Sequence, residues 1–372
     1  MPRFLPRSIQ QAVCQLFVAA GASEEEAKVL SDHLVESSLL GHDSHGVSNA
    51  VRYVHQIQSG IRQSANDPSR VSDMVMVPKV NPTLITERGA FASYDGHMGI
   101  GPVLGTKAMK KSIELAETHG IGCVTVRHCG HLGYLGAYPA MAAKHDMIGF
   151  AVASWCGPEG SLIPPFGGTE GRIPPDPIAF AAPTDRDFIF LMDFAASGIS
   201  YGKLVLCRQQ GKAIPEGLVL DAKGEDITDP SRFFGSPGGS ILPLGGRAAG
   251  YKGFALIMMI EILAGALSGH KTMQKGVCKG GRQGLFTLVV DIAQFVPVEE
   301  FKIQVGKLLD YVKDTPTLPG FKEILVSGER GYREKLLRTK KGIPIEEKSW
   351  RDMVQLGHQL NLDLEGLAEV VR

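Results

Sequence analysis

The sequence predicts an α/β fold of the α+β type: a helical domain drawn from both chain ends around an inserted mixed-sheet domain. Three observations carry that expectation. Both ends of the 372-residue chain show apolar residues at helical spacing. The middle, 121–296, is instead dominated by continuous apolar runs between glycines and prolines. Within it only 134–145 and 251–268 read as helices, too few to alternate with every strand, so a regular βαβ order is not expected. The helical domain is placed at 1–120 plus 297–372 and the sheet domain at 121–296.

Each element has a local reason. Ile9, Val13, Leu16 and Phe17 share one helical face, and Gly21 closes that helix. Ser23 starts a second helix, with Glu26 three residues on to complete a capping box. Its inner stripe is Val29, Leu30, His33, Leu34 and Ser37, and it runs out at Gly41. A third helix, 45–58, turns Val47, Val51, Val54 and Ile57 inward. A short strand follows at 90–94. The runs 122–126, 147–154, 177–182, 188–193 and 285–292 read as strands covered on both faces. The Pro- and Gly-rich stretches 157–177 and 235–250 are long loops, which in a compact domain are often functional. Helical spacing returns at 298–313 and 346–360.

Composition excludes several classes. Lys+Arg and Asp+Glu are equal at 39 each, so no net field attracts nucleic acid or an anionic membrane. The six cysteines, Cys14, Cys123, Cys129, Cys156, Cys207 and Cys278, show no Cys-x-x-Cys spacing and fit a reducing compartment better than a disulfide framework. No apolar core of a signal peptide occurs in residues 1–10. The longest apolar run, 254–267, is short for a bilayer and contains Glu261. A cytoplasmic protein is expected.

Two segments concentrate chemistry. Gly41-His42-Asp43-Ser44-His45-Gly46 packs two imidazoles, a carboxylate and a hydroxyl into four positions, and His128-Cys129-Gly130-His131 echoes it. Such pairs suit acid/base work or metal ligation, or are simply solvated histidines at a helix end. His45 and His131 are the better candidates, with His42 and His128 on the opposite side. Asp193, ending an apolar run, reads as a helix cap or a ligand contact. Lys252, after Gly245, Gly246 and Gly250, opens an apolar helix whose start could hold an anion. Arg52 could grip a carboxylate with its planar fork, or be an ordinary solvated arginine. Gly99-x-Gly101-x-x-x-Gly105 lacks the spacing of a dinucleotide fingerprint, and a Rossmann fold is rejected.

Taken in order, several segments resemble the type-2 malate/L-lactate dehydrogenase family, which is NAD(P)-dependent and not Rossmann-like. They are Gly41 to Val47, Gly130-His131-Leu132-Gly133, Asp146 to Gly149, Pro165 to Gly168, Asp193 to Ser197, Gly202-Lys203, Leu242 to Gly246, Tyr251-Lys252-Gly253 and Gly328-Glu329. Within that family the chain is most similar to the hydroxycarboxylate dehydrogenase branch, which shares the Gly-His-Asp-Ser-His-Gly block and the tail around Lys341-Gly342-Ile343-Pro344. The resemblance implies a homodimer, a largely antiparallel sheet for the nicotinamide cofactor (NAD or NADP), and a helical substrate domain. It implies proton transfer at His45 or His131. Cofactor contacts would fall on Asp193, Phe194, Ala195, Ala196 and Ser197, on Tyr251 and Lys252, on Gly328, Glu329 and Arg330, and near Ser154. Two departures stand out. The family's substrate-binding arginine, four residues after the first catalytic histidine, is Asn49 here, and the next arginine is Arg52. The family's Gly-Thr-Asn-Pro loop reads Pro174-Pro175-Asp176-Pro177.

The expected activity is reversible hydride transfer between NAD(P)H and a small 2-oxo acid, giving a 2-hydroxy acid. His45 would be a general acid of near-neutral pKa, Ser44 would hydrogen-bond substrate, and His131 would be a partner acid or polarising donor. Asn49, Arg52 and Asp176 would meet the substrate. Reduction of a cyclic imino acid is an alternative. Rival classes are a metal-dependent hydrolase with His42, Asp43, His45, His128 and His131 as ligands, and a non-catalytic relative. No resident metal is expected.

Overall fold

The structure, a computed structural model, describes residues 1–66, 75–157, 161–236, 238–274 and 281–371, without the side chains of 65, 66 and 209. Parts of the two long loops and Cys278 thus lie outside the described residues. The amino-terminal elements are β1 (Arg3–Phe4), α1 (Pro6–Ala19), α2 (Glu24–Leu39) and α3 (Ala50–Asn66). Then come β2 (Thr83–Arg88), β3 (Phe91–Gly99), α4 (Gly101–His119), β4 (Ile121–Cys129), α5 (Ala137–Ala143) and β5 (Met147–Cys156). The middle continues with β6 (Pro177–Ala182), β7 (Phe190–Ala195), α6 (Tyr201–Gln210), β8 (Val219–Leu220), α7 (Pro230–Phe233), β9 (Ser240–Ile241) and α8 (Gly246–Ile260). The chain closes with β10 (Arg282–Asp291), α9 (Val298–Lys313), α10 (Glu329–Lys341), β11 (Ile343–Pro344), α11 (Glu347–Gln359) and α12 (Leu364–Leu367).

The main sheet has seven strands in the order β2-β3-β4-β10-β5-β6-β7. Only β3 and β4 pair in parallel, joined by the α4 crossover; every other neighbour is antiparallel. A mixed, largely antiparallel sheet is therefore what the apolar runs build. The sheet starts before residue 121, because β2 and β3 belong to it. All six residues of β2 are exposed, so an edge strand of this kind leaves no apolar run to read.

Three apolar clusters position the site. One joins α1, α2, α3 and α11 through Phe4, Leu16, Leu30, Leu34, Tyr53 and Ile57, uniting the two chain ends. A second packs α4 and α5 on one face of the sheet, and the third packs α8 with Ile199, Leu204 and Phe233 on the other. The capping box at Ser23 and Glu26 forms as expected. The expected helix 45–58 instead begins with two short 3-10 turns, Asp43–His45 and Val47–Asn49, before α3. Helix α10 carried no readable apolar stripe, because charged side chains occur all round it.

Helix α8 runs on into a π-helical segment, Glu261–Leu267, so the helix spans 22 residues, longer than the apolar run 254–267 within it. Its length and hydropathy match a bilayer crossing, yet Ile257, Ile260, Glu261 and Ala264 are buried in the protein. Of the described cysteines, Cys14, Cys123, Cys129 and Cys207 are free, whereas Cys156 is disulfide-bonded, which corrects the expectation of thiols throughout.

Candidate active site

The turn carrying His45 is built by the end of α2. The amides of Gly41 and His42 donate to the carbonyls of Ser38 and Ser37, and His45 N closes the turn on His42 O at 2.9 Å. Side chains then lock it. Ser38 Oγ accepts from Val47 N at 3.0 Å, and Ser48 Oγ donates to Asp43 O at 2.7 Å. Gly46 is required by close packing: a Cβ there would lie 2.1 Å from Ser38 Oγ.

The loop carrying His131 leaves the end of β4 and is held from three sides. Gly130 N donates to Gly99 O at 3.0 Å, Leu132 N to Gln283 Oε1 at 2.6 Å, and Tyr134 N to His33 Nε2 at 2.9 Å. Gly101 explains the glycine motif before α4: a Cβ there would lie 2.1 Å from His131 O, so the glycine serves packing.

These supports bring the two imidazoles together. The His45 and His131 rings lie nearly parallel, 10° apart in plane, with centroids separated by 6.0 Å. Three donors converge on His131 Nδ1: Tyr53 OH at 2.6 Å, Arg52 Nη2 at 3.2 Å and Gly133 N at 3.2 Å. An acceptor at Nδ1 puts the ring proton on Nε2. His45 Nδ1 contacts Ser44 Oγ at 3.1 Å, leaving its Nε2 for a ligand.

Electrostatics keep both rings neutral. Burial, reinforced by the Arg52 guanidinium and by His42, lowers His45 to about 4. Burial and then Arg52 push His131 well below its ordinary value. The value is thus lower than the near-neutral one expected: without ligand His45 is neutral, with Nε2 open to take or return a proton. His42 stacks on Tyr134 at 4.6 Å, and burial lowers it to about 4. His128 instead faces Asp95 at 3.1 Å. Among the described residues no three His, Cys, Asp or Glu are placed to hold a metal ion, so the ligand set of the rival hydrolase does not converge.

The substrate-side expectations divide. Arg52 stands at the site and lines a groove of about 590 Å³ along α3, with Ser48, His55 and Gln56. Asn49 is half-buried, and its Nδ2 donates to Ser44 O at 2.7 Å, bracing the catalytic turn. Asp176 is a correction, because its carboxyl is fully buried, accepting from Trp155 N at 3.1 Å and neighbouring Glu261.

The three strips expected to meet the cofactor gather along β7. Leu244 N donates to Ala196 O and Gly198 N to Leu242 O, which ties Asp193 to Ser197 against the entry to α8. Gly328 packs on the carbonyl of Ile189, and Leu191 N donates to Ser327 O at 3.3 Å. Asp193 lies inside β7 and caps no helix of its own, since Ser200 caps α6. Its Oδ2 accepts from Gly136 N at 2.8 Å, and burial raises it to about 7. Phe194 is partly exposed, Ala195 half-buried and Ala196 buried, while Ser197 Oγ donates to Ile199 O. Ser154, on β5, is buried with no partner for its Oγ.

Tyr251 and Phe166 are exposed and meet edge to face at 5.7 Å, beside Lys252 and the start of α8, which no side chain caps. Aromatic surface, a cation and a helix start without a side-chain cap suit the rings and phosphates of a dinucleotide. Arg330 stands beside Gly41, where a Cβ would lie 3.4 Å from its Nη1. Glu329 is a correction: its carboxylate is buried in ion pairs with Lys313 and Arg333. Sequence reasoning missed Tyr53 and Arg338. Tyr53 sits beside Arg52 on the same helix, so the signal was there; Arg338 had none.

Comparison with known proteins gives consistent findings. A family model for malate/L-lactate dehydrogenase matches residues 5–354. The malate dehydrogenase of Pyrococcus horikoshii is 35% identical over 357 residues, covering 94% of this chain and 93% of the relative. Hydroxycarboxylate dehydrogenase B of Escherichia coli K12 is 29% identical over 368 residues, covering 98% and 96%. The solved structure of the Pyrococcus horikoshii OT3 malate dehydrogenase superposes with a TM-score of 0.83 at 32% identity, covering 97% of this chain and 96% of that one.

Proposed function

Since the chain belongs to the malate/L-lactate dehydrogenase family, we propose that it moves a hydride reversibly between a nicotinamide cofactor and C2 of a small 2-oxo acid. It is an oxidoreductase of 2-hydroxy and 2-oxo acids. The bound cofactor, NAD or NADP, supplies or accepts the hydride. Tyr251, Lys252, the strip from Asp193 to Ser197, and Gly328 with Arg330 would hold it.

The protein's own share is proton handling and orientation. In the oxidising direction, neutral His45 keeps its proton on Nδ1, donated to Ser44 Oγ, and accepts the C2 hydroxyl proton at Nε2. In the reducing direction the same atom returns that proton to the C2 oxygen. His131, fixed with its proton on Nε2, is a donor only and polarises the C2 oxygen. Arg52 would take the substrate carboxylate, and that negative charge would offset the guanidinium that depresses His45. The observation that carries this reading is the facing, nearly parallel pair of imidazoles, with three donors converging on Nδ1 of His131.

A second copy of the chain would cover the apolar side chains left exposed on α9 and after it, among them Leu308, Tyr311, Leu318 and Phe321. Sedimentation velocity reads the homodimer.

The deciding experiment is His45→Ala, assayed with a panel of 2-oxo acids and both reduced cofactors. Turnover should fall by about 10²–10⁴-fold while cofactor affinity, read by nicotinamide fluorescence, is unchanged. Equal turnover in the variant would remove His45 from the mechanism.

A further inference from the structure

We infer that Asp176 and Glu261 form a buried carboxyl–carboxylate pair held by one shared proton, and that this contact fastens together the strips proposed above to cradle the cofactor. The second half rests on that functional reading; the first half does not.

Partner accounting leads to the pair. Asp176 and Glu261 are 1% and 4% exposed. Asp176 Oδ1 accepts from Trp155 N at 3.1 Å, and Glu261 Oε2 accepts from Met273 N at 2.9 Å. The remaining oxygens, Asp176 Oδ2 and Glu261 Oε1, have no donor from any other group. The two carboxyl groups lie within hydrogen-bonding reach of each other. Two ionised carboxylates cannot share a dry site without a cation, because each would be both desolvated and repelled. A single proton between them converts that repulsion into a charge-assisted hydrogen bond.

What acts on the pair, among the described residues, is burial, the partner carboxyl and the amides of Trp155 and Met273. Among the described residues, β5 offers Trp155 and the neutral Ser154, and the π-helical segment offers only Glu261 itself. The segment after it carries His270, which acts with His128 and Arg282 and not with these carboxyls. Each carboxyl is raised, chiefly by burial; for Asp176 the next cause is Glu261.

The location explains what the proton does. Asp176 O accepts from Ala196 N at 3.0 Å, so the aspartate's backbone holds the β7 strip while its side chain holds β5. Glu261 begins the π-helical turn at the end of α8, the helix that carries Tyr251 and Lys252. The protonated form of Asp176 offers a donor to the facing carboxylate, as an asparagine amide at this position would. In this pair Asp176 is a positioning residue.

The sign of the pH effect follows. The folded pair keeps a proton that the unfolded chain releases above about pH 4. Stability from this pair is therefore full in acid and declines as pH rises, until the pair ionises and separates.

The test compares wild type with Asp176→Asn, Asp176→Ala and Glu261→Gln. Infrared difference spectra at pH 7 should show a protonated-carboxyl C=O band in wild type that D176N and E261Q each remove. Between pH 6 and 9 the melting temperature of wild type should fall by roughly 2 °C per pH unit more than that of D176N. D176A, which leaves Glu261 without a partner, should melt below both. An unchanged band in both isosteric variants, or D176N melting like D176A with the slope of wild type, overturns the pair. None of these readings needs turnover or cofactor. For the fastening role, cofactor affinity by fluorescence titration should weaken about tenfold in D176A and be restored in D176N. Equal affinity in both overturns that role, whereas failure of wild type to bind cofactor sinks the functional reading and leaves the pair standing.

Discussion

Arg338 and Asp43, 295 residues apart in sequence, are joined by a two-pronged ion pair, Nη1 to Oδ1 at 2.5 Å and Nη2 to Oδ2 at 3.1 Å. The same guanidinium donates to Ser38 O at 2.7 Å and reaches Glu334 Oε1 from Nε at 2.5 Å. One side chain of α10 thereby grips both the end of α2 and the turn that presents Ser44 and His45. The guanidinium is almost wholly buried, so its planar fork is held in one orientation.

Arg338→Ala should therefore loosen the catalytic turn without touching the cofactor strips. Turnover is expected to fall by about 10–100-fold, with stability reduced by about 1–3 kcal/mol. Arg338→Lys should recover little, because an ammonium cannot bridge both carboxylate oxygens and Ser38 O. Steady-state kinetics and chemical denaturation check this, with cofactor affinity as the control that should not move.

Tyr53→Phe removes the shortest of the three donors on His131 Nδ1 and keeps the buried ring. Arg52 and Gly133 still donate there, so the tautomer should survive with looser orientation. The expected result is a drop in turnover of roughly tenfold with little change in KM. A variant with the turnover of wild type would show that Arg52 and Gly133 suffice.

Stability should peak near neutral pH. Burial holds His33 at about 3, His42 and His45 at about 4 and His270 at about 3, with His131 lower than usual as well. Between about pH 6.5 and 4 the unfolded chain takes up protons that these folded imidazoles refuse. Acidification through that window therefore destabilises the fold, each such proton contributing about 1.4 kcal/mol per pH unit. The buried carboxyls Asp176 and Asp193 work in the opposite sense, since the folded state holds their protons longer. They are outnumbered in acid, but above pH 6.5 only their effect remains. Melting temperatures from pH 4.5 to 9 should trace this maximum; a profile flat from pH 6.5 to 4.5 would contradict the buried neutral histidines.

The legible part of this molecule is the local part. The Ser23–Glu26 capping box, the strands at 177–182 and 147–154, and the helix at 298–313 were readable because each rests on contacts a few residues apart or on one unbroken apolar run. Elements without such a signal escaped: β2 is exposed along its length, and α10 is polar on all sides. At the site, adjacency marked His45 and His131, whereas Asp176 was placed at the substrate through the resemblance, and only the fold shows its burial.

Residue types and short-range spacing alone thus determined those secondary elements with a local signal, the two histidine segments and, through their order, the family resemblance. Only the folded chain decided which nitrogen of His131 carries the proton, what Asp43 grips and where Asp176 points. Those outcomes depend on through-space distances between segments tens to hundreds of residues apart. Such distances are set by sheet pairing and helix packing, and no local pattern encodes them.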